Sequence, residues 1–197
     1  MTKPAQGDGI RRRRRWGSGL ASIASAASLC LYGTGCAALA LTETATADAY
    51  PTRPPAAELL GPYPVTRVAD GDTITIDRGS GPERLRFVGV DTPELHDARK
   101  PVECFSQQAS EYTKSLLGQH IYLETDPSQD ATDRYGRILA YIWTQGGRLF
   151  NLDLIASGYG HEYTYRTPHR YQNEFRAAET AARTNHIGMW SPANCPN

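Results

Sequence analysis

The sequence lacks any excess of charge of one sign. Of its 197 residues, 21 are Lys or Arg and 21 are Asp or Glu, so the formal net charge is zero. The first 49 residues hold six of the basic and three of the acidic side chains, which leaves 15 basic and 18 acidic residues in the remainder. The remainder therefore lacks the positive field of proteins that hold nucleic acid by net charge. Any anion must be recognised by a few individually placed arginines.

The N-terminal segment has no charged residue from 16 to 42, although five consecutive arginines precede this stretch. The stretch is rich in Ala, Ser, Gly and Leu, and small-residue cleavage sites follow, such as Ala47-Asp48-Ala49. Residues 1–49 are therefore predicted to be an export signal, and the protein is expected to be secreted. The alternative is an uncleaved membrane anchor, because the uncharged stretch is long enough to span a bilayer. Contact with a membrane is expected only in that case.

Cysteine is scarce, with four in the whole chain. Cys30 and Cys36 lie in the predicted export signal, and only Cys104 and Cys195 follow it. An even number of cysteines in an exported chain predicts a disulfide between the last two. The alternative is two unpaired thiols.

The remaining chain is organised as one domain without visible repeats. Residues 50–63 are rich in proline and are expected to be a linker, and residues 64–197 suffice for a single domain. Strands followed by a helix, more strands and more helices indicate an α+β fold, and five short antiparallel strands suit a small Greek-key barrel. Alternating β-branched runs predict strands at 65–68, 73–77, 84–88, 120–124 and 137–143, and apolar spacing predicts helices from Phe105, Asn151 (as a cap) and Tyr171.

The segment VDTPEL at residues 90–95 admits two interpretations. A Thr cap followed by Pro at the first helical position, with acids nearby, is common at helix N-termini. The alternative is a site at the end of a strand in which the two carboxylates, Asp91 and Glu94, serve a metal ion and a water. Taken alone, the segment favours the helix.

Further polar clusters favour the second interpretation. Asp70-Gly71-Asp72 adds carboxylates, which a hard cation prefers as ligands, and Arg86 and Arg137 have the planar fork that binds phosphate oxygens in pairs. A further carboxylate beside a cation can orient or deprotonate a water. Together these groups predict phosphodiester hydrolysis. Because Arg86 and Asp91 are five residues apart, both reach one site only if the strand bends or ends near Gly89.

With these motifs the chain resembles the thermonuclease family, the staphylococcal-nuclease-like proteins, over about residues 64–192. The matching segments stand in the family's order: VADGDTITI, RLRFVGVDTPE, ASEYTKSL, TDRYGRILAYI and MWS. The resemblance implies a five-stranded antiparallel OB-fold barrel with about three helices. It also implies a calcium-dependent nuclease that acts on DNA and RNA and leaves 3′-phosphate ends.

The resemblance also implies roles for individual residues. Two histidines, His96 and His161, match no functional position of the family and are interpreted as solvated. The implied calcium ligands are the carboxylates of Asp72 and Asp91 and the carbonyl of Thr92, with Asp70 behind them. The resemblance implies that Arg86 and Arg137 clamp the phosphate and that Glu94 activates water. The residues implied to bind the nucleotide are Arg134, Tyr135, Tyr163 and Tyr165.

The alternative to a nuclease is a catalytically weak or inactive OB-fold module that binds nucleic acid or protein. Such a module does not need Arg86, Asp91, Glu94 and Arg137 together, and this sequence retains all four. The partners expected are therefore DNA and RNA as substrates. Nothing in the sequence implies a stable protein partner, and a monomer is expected.

Overall fold

The computed structural model describes residues 50–95 and 101–196, so the predicted export signal and His96 lie outside the described residues. The strands are β1 (Leu60–Val68), β2 (Thr73–Asp77), β3 (Pro82–Phe87), β4 (Val90–Asp91), β5 (His120–Glu124), β6 (Ile138–Trp143) and β7 (His161–Glu162). The helices are α1 (Ser106–Lys114), α2 (Phe150–Ala156) and α3 (Gln172–Thr184), with short 3₁₀ turns at Ala56–Glu58 and Gly188–Trp190.

Five of the strands form a closed barrel in the order β1-β2-β3-β6-β5, and β5 pairs with β1 to close it. The expected barrel with three helices is confirmed, but its strand orientation is mixed rather than purely antiparallel. Strand β3 pairs with β6 in parallel, with Leu85 opposite Ile138. A parallel pair needs a long crossover, which α1 and β5 supply here. The two short strands β4 and β7 pair outside the barrel.

The alternating sequence of the strands places their apolar side chains inside the barrel. On β2, Ile74 and Ile76 are fully buried, whereas Thr75 and Asp77 are partly exposed. Strand β3 follows the same rule, with Leu85 buried between two outward-facing arginines. Since successive side chains of a strand point to opposite faces, the polar partners of this alternation line the outer surface. That surface carries the candidate site.

A sharp turn at Gly89 ends β3 and starts β4. Gly89 has φ +77°, and a Cβ atom there would lie 2.5 Å from Cε1 of His169, so the turn requires glycine. The bend that Arg86 and Asp91 need is therefore present. No helix begins within VDTPEL, because Val90–Asp91 form β4 and the next helix in the described part of the chain starts at Ser106.

The structure places part of the segment interpreted as a linker in the barrel. Strand β1 begins at Leu60, so it takes in residues 60–63. At the start of the segment, the hydroxyl of Tyr50 donates to the carbonyl of Leu149 at 3.1 Å and accepts from its N–H at 2.6 Å. The guanidinium of Arg53 lies 4.2 Å above the ring of Tyr122.

Asn151 was expected to cap α2, and this prediction is wrong. The helix begins one residue earlier, and Asn151 is fully buried inside its first turn. Its side-chain amide accepts from the N–H of Ile142 and donates to the carbonyl of Val88, both at 2.8 Å. The side chain satisfies buried backbone groups of β6 and of the turn after β3, which a solvent-facing cap could not do.

A disulfide joins Cys104, just before α1, to Cys195 in the C-terminal turn, with 5.9 Å between the Cα atoms. The bridge closes a long loop, because the two cysteines are 91 positions apart. Within the described residues, no helix combines the length and the apolar character that crossing a membrane requires.

Replacing both cysteines by alanine is expected to lower the free energy of unfolding by about 2 to 4 kcal/mol, because the open chain gains conformational freedom when unfolded. Urea unfolding of the oxidised protein and of the Cys104→Ala/Cys195→Ala variant measures the difference. Labelling of both thiols in the purified protein without reductant would contradict the bridge.

Candidate active site

Arg86 lies between two carboxylates, one from the loop before β2 and one from β4. One terminal nitrogen, Nη2, is 2.6 Å from Oδ1 of Asp91 and 3.1 Å from Oδ2 of Asp72. The other, Nη1, donates to the carbonyls of Val90 at 2.6 Å and Phe87 at 3.0 Å. The two backbone contacts fix the plane of the guanidinium against the turn at Gly89. The predicted metal ligands and one predicted phosphate clamp therefore share one location.

The position of Asp72 depends on close contact between the loop before β2 and the VDTPEL segment. Its Oδ2 accepts from the N–H of Thr92 at 3.0 Å and from its hydroxyl at 3.2 Å. Gly71 permits this approach, because a Cβ atom there would lie 2.7 Å from Oγ1 of Thr92. The hydroxyl of Thr113 on α1 donates to the carbonyl of Gly71 at 2.6 Å and holds the loop from behind.

Two acidic groups of the site, Asp70 and Asp91, have raised pKa values. Burial is the largest cause of the raised pKa of Asp91, and the charge of Arg86 opposes it. Burial also raises the pKa of Asp70, with further contributions from the charges of Asp72 and Glu94. Carboxylates brought together in this way repel one another, and a cation between them would favour their charged forms.

The donor atoms fit a hard cation. Oxygens of Asp72 and Asp91 approach the same nitrogen of Arg86, so they converge on one point, and Thr92 is buried next to them. Such cations take carboxylate and carbonyl oxygens and fill their remaining positions with water. Within residues 50–95 and 101–196, no group of three or more His, Cys, Asp or Glu side chains is arranged as a metal site. The donors predicted from the sequence are the two carboxylates and the carbonyl of Thr92.

The second predicted clamp, Arg137, is held against the same face of the barrel. Its Nε donates to Oδ2 of Asp133 at 2.6 Å, and its Nη1 donates to Oγ1 of Thr73 at 3.3 Å. Thr73 is the direct partner of Arg86 in the β2–β3 register. The two arginines, 51 positions apart in the sequence, therefore reach one patch of surface around Thr73.

Asp133 is a positioning residue that sequence reasoning did not assign. Its Oδ1 accepts from the N–H groups of Tyr135 and Arg137, both at 2.9 Å, and closes the turn in which Gly136 has φ +73°. Burial acts to raise the pKa of Asp133, but its hydrogen bonds with Arg137 and Tyr135 outweigh burial and hold the pKa below its usual value. The spacing Asp-x-x-Gly-Arg was the available signal, because Asp readily bonds the backbone two residues on.

Glu94 is held through its backbone by a second unassigned residue, Glu103. The N–H of Glu94 donates to Oε2 of Glu103 at 2.9 Å, and the N–H of Glu103 donates to the carbonyl of Glu94 at 3.1 Å. Glu103 directly precedes Cys104, so the disulfide lies next to this contact. The charge of Glu94 contributes to the raised pKa of Asp70, so Glu94 lies near the loop at residues 70–72.

A cavity of about 810 Å³ opens beside the two arginines. Tyr163 and Tyr165 stand at its edge with 43% and 62% of their surface exposed, and their ring centres are 6.4 Å apart. On the other side, Nη2 of Arg134 donates to the hydroxyl of Tyr135 at 2.7 Å. Exposed aromatic faces can stack a base of any sequence. The predicted site residues that line the cavity are Arg86, Asp91, Arg134, Tyr135, Arg137, Tyr163 and Tyr165.

His161 lies closer to the site than the sequence suggested. It is the register partner of Asp91 in the β4–β7 pair, and its Nε2 is 3.8 Å from Oδ2 of Asp91. The prediction of a solvated histidine fits its partial exposure but not its position beside an expected metal ligand. Only the pairing of β4 with β7 brings the two together, and neither strand is long enough to be read from sequence.

Comparison with known proteins decides the family. The family model described as Staphylococcal nuclease homologue matches residues 84–192, more than half of the chain. The chain belongs to this family. The match includes Arg86, Asp91, Glu94 and Arg137, whereas the loop at 70–72 precedes it and is brought to the site by the fold.

Individual relatives agree with this assignment. The chain is 39% identical over 130 residues to a thermonuclease of Staphylococcus hyicus, which covers 66% of this chain and 75% of that protein. It is 38% identical over 129 residues to a thermonuclease of Staphylococcus intermedius, covering 65% and 75%. The endonuclease YhcR of Bacillus subtilis is 36% identical over 149 residues, which is 70% of this chain but only 12% of that protein.

Asp133→Ala is expected to lower nuclease turnover about 10- to 100-fold, because Arg137 loses the contact that fixes its guanidinium. Initial rates on single-stranded DNA measure the effect. Glu111→Ala is the matched control, since it removes an exposed carboxylate from α1. Equal rates for the two variants would show that Asp133 does not position Arg137.

Proposed function

We propose that this member of the family is a calcium-dependent nuclease that hydrolyses phosphodiester bonds of DNA and RNA and leaves 3′-phosphate ends. The observation that carries the proposal is the convergence of Asp72 and Asp91 on Arg86, with Arg137 on the same face. One surface thus offers oxygen ligands for a cation and two forks for a phosphate. The relatives named thermonuclease and endonuclease support nucleic acid as the substrate.

The metal role falls to Asp72, Asp91 and the carbonyl of Thr92, with Asp70 behind them. Members of this family are generally metal-dependent. The all-oxygen donor set supports calcium, which such ligands suit. Calcium bound there would supply positive charge that polarises a phosphate oxygen.

The two arginines bind the scissile phosphate. Arg86 keeps its Nη1 on the backbone carbonyls of Phe87 and Val90, so its orientation is set before substrate arrives. Arg137 is set in the same way by Asp133. Guanidinium groups stay charged at all physiological pH values and pair phosphate oxygens bidentately. Donors fixed in advance stabilise the charge that develops on those oxygens during the reaction.

Glu94 receives the proton of the attacking water. As the water oxygen bonds to phosphorus, the bond from phosphorus to the 5′-oxygen breaks, and the departing 5′-oxygen takes a proton from solvent. The water oxygen stays on the phosphate, which remains on the 3′ side. The backbone of Glu94 donates to the carboxylate of Glu103 and accepts from its N–H, and these two bonds hold this part of the chain in place.

The nucleotide next to the scissile phosphate binds in the cavity. Tyr163 and Tyr165 present their exposed rings to a base, and Arg134 and Tyr135 lie where a neighbouring phosphate passes. Stacking does not depend on base identity, which supports action on many sequences.

We also propose that the protein is secreted. The arginine run and uncharged stretch of residues 1–49 support export. The bridge between Cys104 and Cys195 supports an oxidising compartment, where disulfides persist. Residues 64–197 would then carry the activity.

The purified protein is expected to cut single-stranded DNA and RNA in calcium and to stop when a chelator is added in excess. Phosphatase treatment of the products, followed by end labelling, identifies the 3′-phosphate. Cleavage that continues in chelator would refute calcium dependence. Binding without any cleavage would instead favour a nucleic-acid-binding module.

Arg86→Ala and Glu94→Ala are each expected to lower turnover by at least about 10², the scale of losing a charge-stabilising or proton-transfer group. Steady-state cleavage rates on single-stranded DNA measure the loss. Arg78→Ala and Glu83→Ala provide controls of the same residue types, because these two form an exposed ion pair at the far end of the β2–β3 hairpin. Near-normal turnover in either test variant would refute the role given to that residue.

A further inference from the structure

A row of arginines crosses the outer face of the barrel beside the candidate active site. In the register of the sheet, Thr75 on β2 is the partner of Arg67 on β1 and of Arg84 on β3. The next strand in the barrel is β6, where Ile138 is the partner of Leu85, so Arg137 stands next to Arg84. Arg86 lies two residues further along β3, on the same face as Arg84.

Two members of this row, Arg67 and Arg84, face solvent. Arg67 and Arg84 are both exposed, and a one-residue irregularity in β1 between Val65 and Arg67 turns Arg67 outward. Within residues 50–95 and 101–196, neither side chain forms an ion pair or a side-chain hydrogen bond. By contrast, Arg86 is held by carboxylates and backbone carbonyls, and Arg137 is held by the carboxylate of Asp133. Like charges placed side by side on a sheet repel one another, and a bound anion would relieve that repulsion.

Of the arginines in this row, Arg86 and Arg137 line the cavity, whereas Arg67 and Arg84 lie outside it. The cavity is bounded on the β6 side by Leu139, which is the register partner of Arg86, and by the tyrosines that follow β7. Arg84 lies two residues before Arg86 on β3, and Arg67 lies on β1, two strands away on the side opposite β6. A nucleic-acid strand whose scissile phosphate lies on Arg86 and Arg137 can therefore place one neighbouring nucleotide in the cavity. On the other side of the scissile phosphate, the same strand can pass over Arg84 and Arg67.

The spacing fits an extended chain of phosphates. Two residues along a strand separate Arg84 from Arg86 by about 7 Å, and two strand spacings separate Arg84 from Arg67 by about 10 Å. The intervening side chain is Thr75, which is small and partly exposed, so the surface between the arginines is open to a backbone. Arginine is well suited to contact phosphate oxygens without reading base sequence.

We propose that Arg67 and Arg84 bind the phosphate backbone of the substrate strand beyond the nucleotide held in the cavity. This inference rests on the proposed function, because it takes nucleic acid as the ligand. It gives the domain a local positive track, although residues 50–197 hold 15 basic and 18 acidic side chains. The two arginines bind long substrates more tightly and leave the chemical step unchanged.

Salt dependence of binding tests the proposal without relying on cleavage. The full chain is titrated against a fluorescent fifteen-nucleotide single strand in chelator, across a range of sodium chloride concentrations. For Arg67→Ala/Arg84→Ala, the dissociation constant is expected to rise about tenfold at low salt. The slope of log K against log salt should become shallower by about 1.4, since each lost phosphate contact removes about 0.7.

Two further variants separate charge at these positions from charge in general. Arg67→Lys/Arg84→Lys keeps both positive charges and is expected to retain the slope. Arg183→Ala removes a charge from the far end of α3, where Arg183 pairs with Glu179, and is also expected to retain it. An unchanged slope in the double alanine variant would overturn the proposal, and so would equal flattening by Arg183→Ala. Absence of salt-dependent binding by the unsubstituted protein would overturn it as well.

Cleavage then distinguishes this proposal from the proposed function. In calcium, the double alanine variant is expected to lose about tenfold in kcat/KM on the fifteen-nucleotide strand through a higher KM. On a dinucleotide, which is too short to reach Arg67 and Arg84, the kcat/KM of the variant should stay within twofold of that of the unsubstituted protein. An equal loss of kcat/KM on both substrates would contradict the proposed role of Arg67 and Arg84. If the unsubstituted protein cuts neither substrate but the double alanine variant shows the shallower slope, the proposed nuclease function is wrong and the role of Arg67 and Arg84 in binding is supported.

Discussion

The contact of Arg86 with Asp72 and Asp91 is the interaction on which the rest of the site depends. It joins the loop before β2, the end of β3 and the start of β4 through one guanidinium. The contact exists because the chain reverses at Gly89, where a side chain would collide with His169. A straight strand would place Arg86 and Asp91 on opposite faces of the sheet. One turn therefore brings the predicted metal ligands and one predicted phosphate clamp together.

This arrangement explains how a domain without excess positive charge can handle a polyanion. Positive charge is concentrated in fixed guanidinium groups, and each of the two clamps is oriented by a specific acceptor, the backbone carbonyls for Arg86 and Asp133 for Arg137. The acidic groups next to them are partly buried, so a cation is favoured between them. Local geometry, and not net charge, determines what binds.

Much of the fold could be predicted from the sequence, because short alternating runs specify strands with one buried face. Residues 120–124 were predicted as a strand and form β5. The partner of each strand could not be predicted, since pairing depends on tertiary packing, and so the parallel β3–β6 pair was missed. Asn151 was misread for the same reason: its partners are backbone groups distant in the sequence, not the helix it was expected to cap.

The site residues were predicted by type and order, and the residues that hold them in place were not predicted. Asp133 and Glu103 act through hydrogen bonds that only the folded loops create. Calorimetric titration of calcium, without nucleic acid, tests the central claim most directly. Asp91→Asn is expected to weaken calcium binding at least about tenfold, whereas Arg86→Ala should strengthen it, because a competing cation is removed from the same carboxylates. Equal affinity in Asp91→Asn and the unsubstituted protein, or weaker binding in Arg86→Ala, would contradict a shared metal and phosphate site.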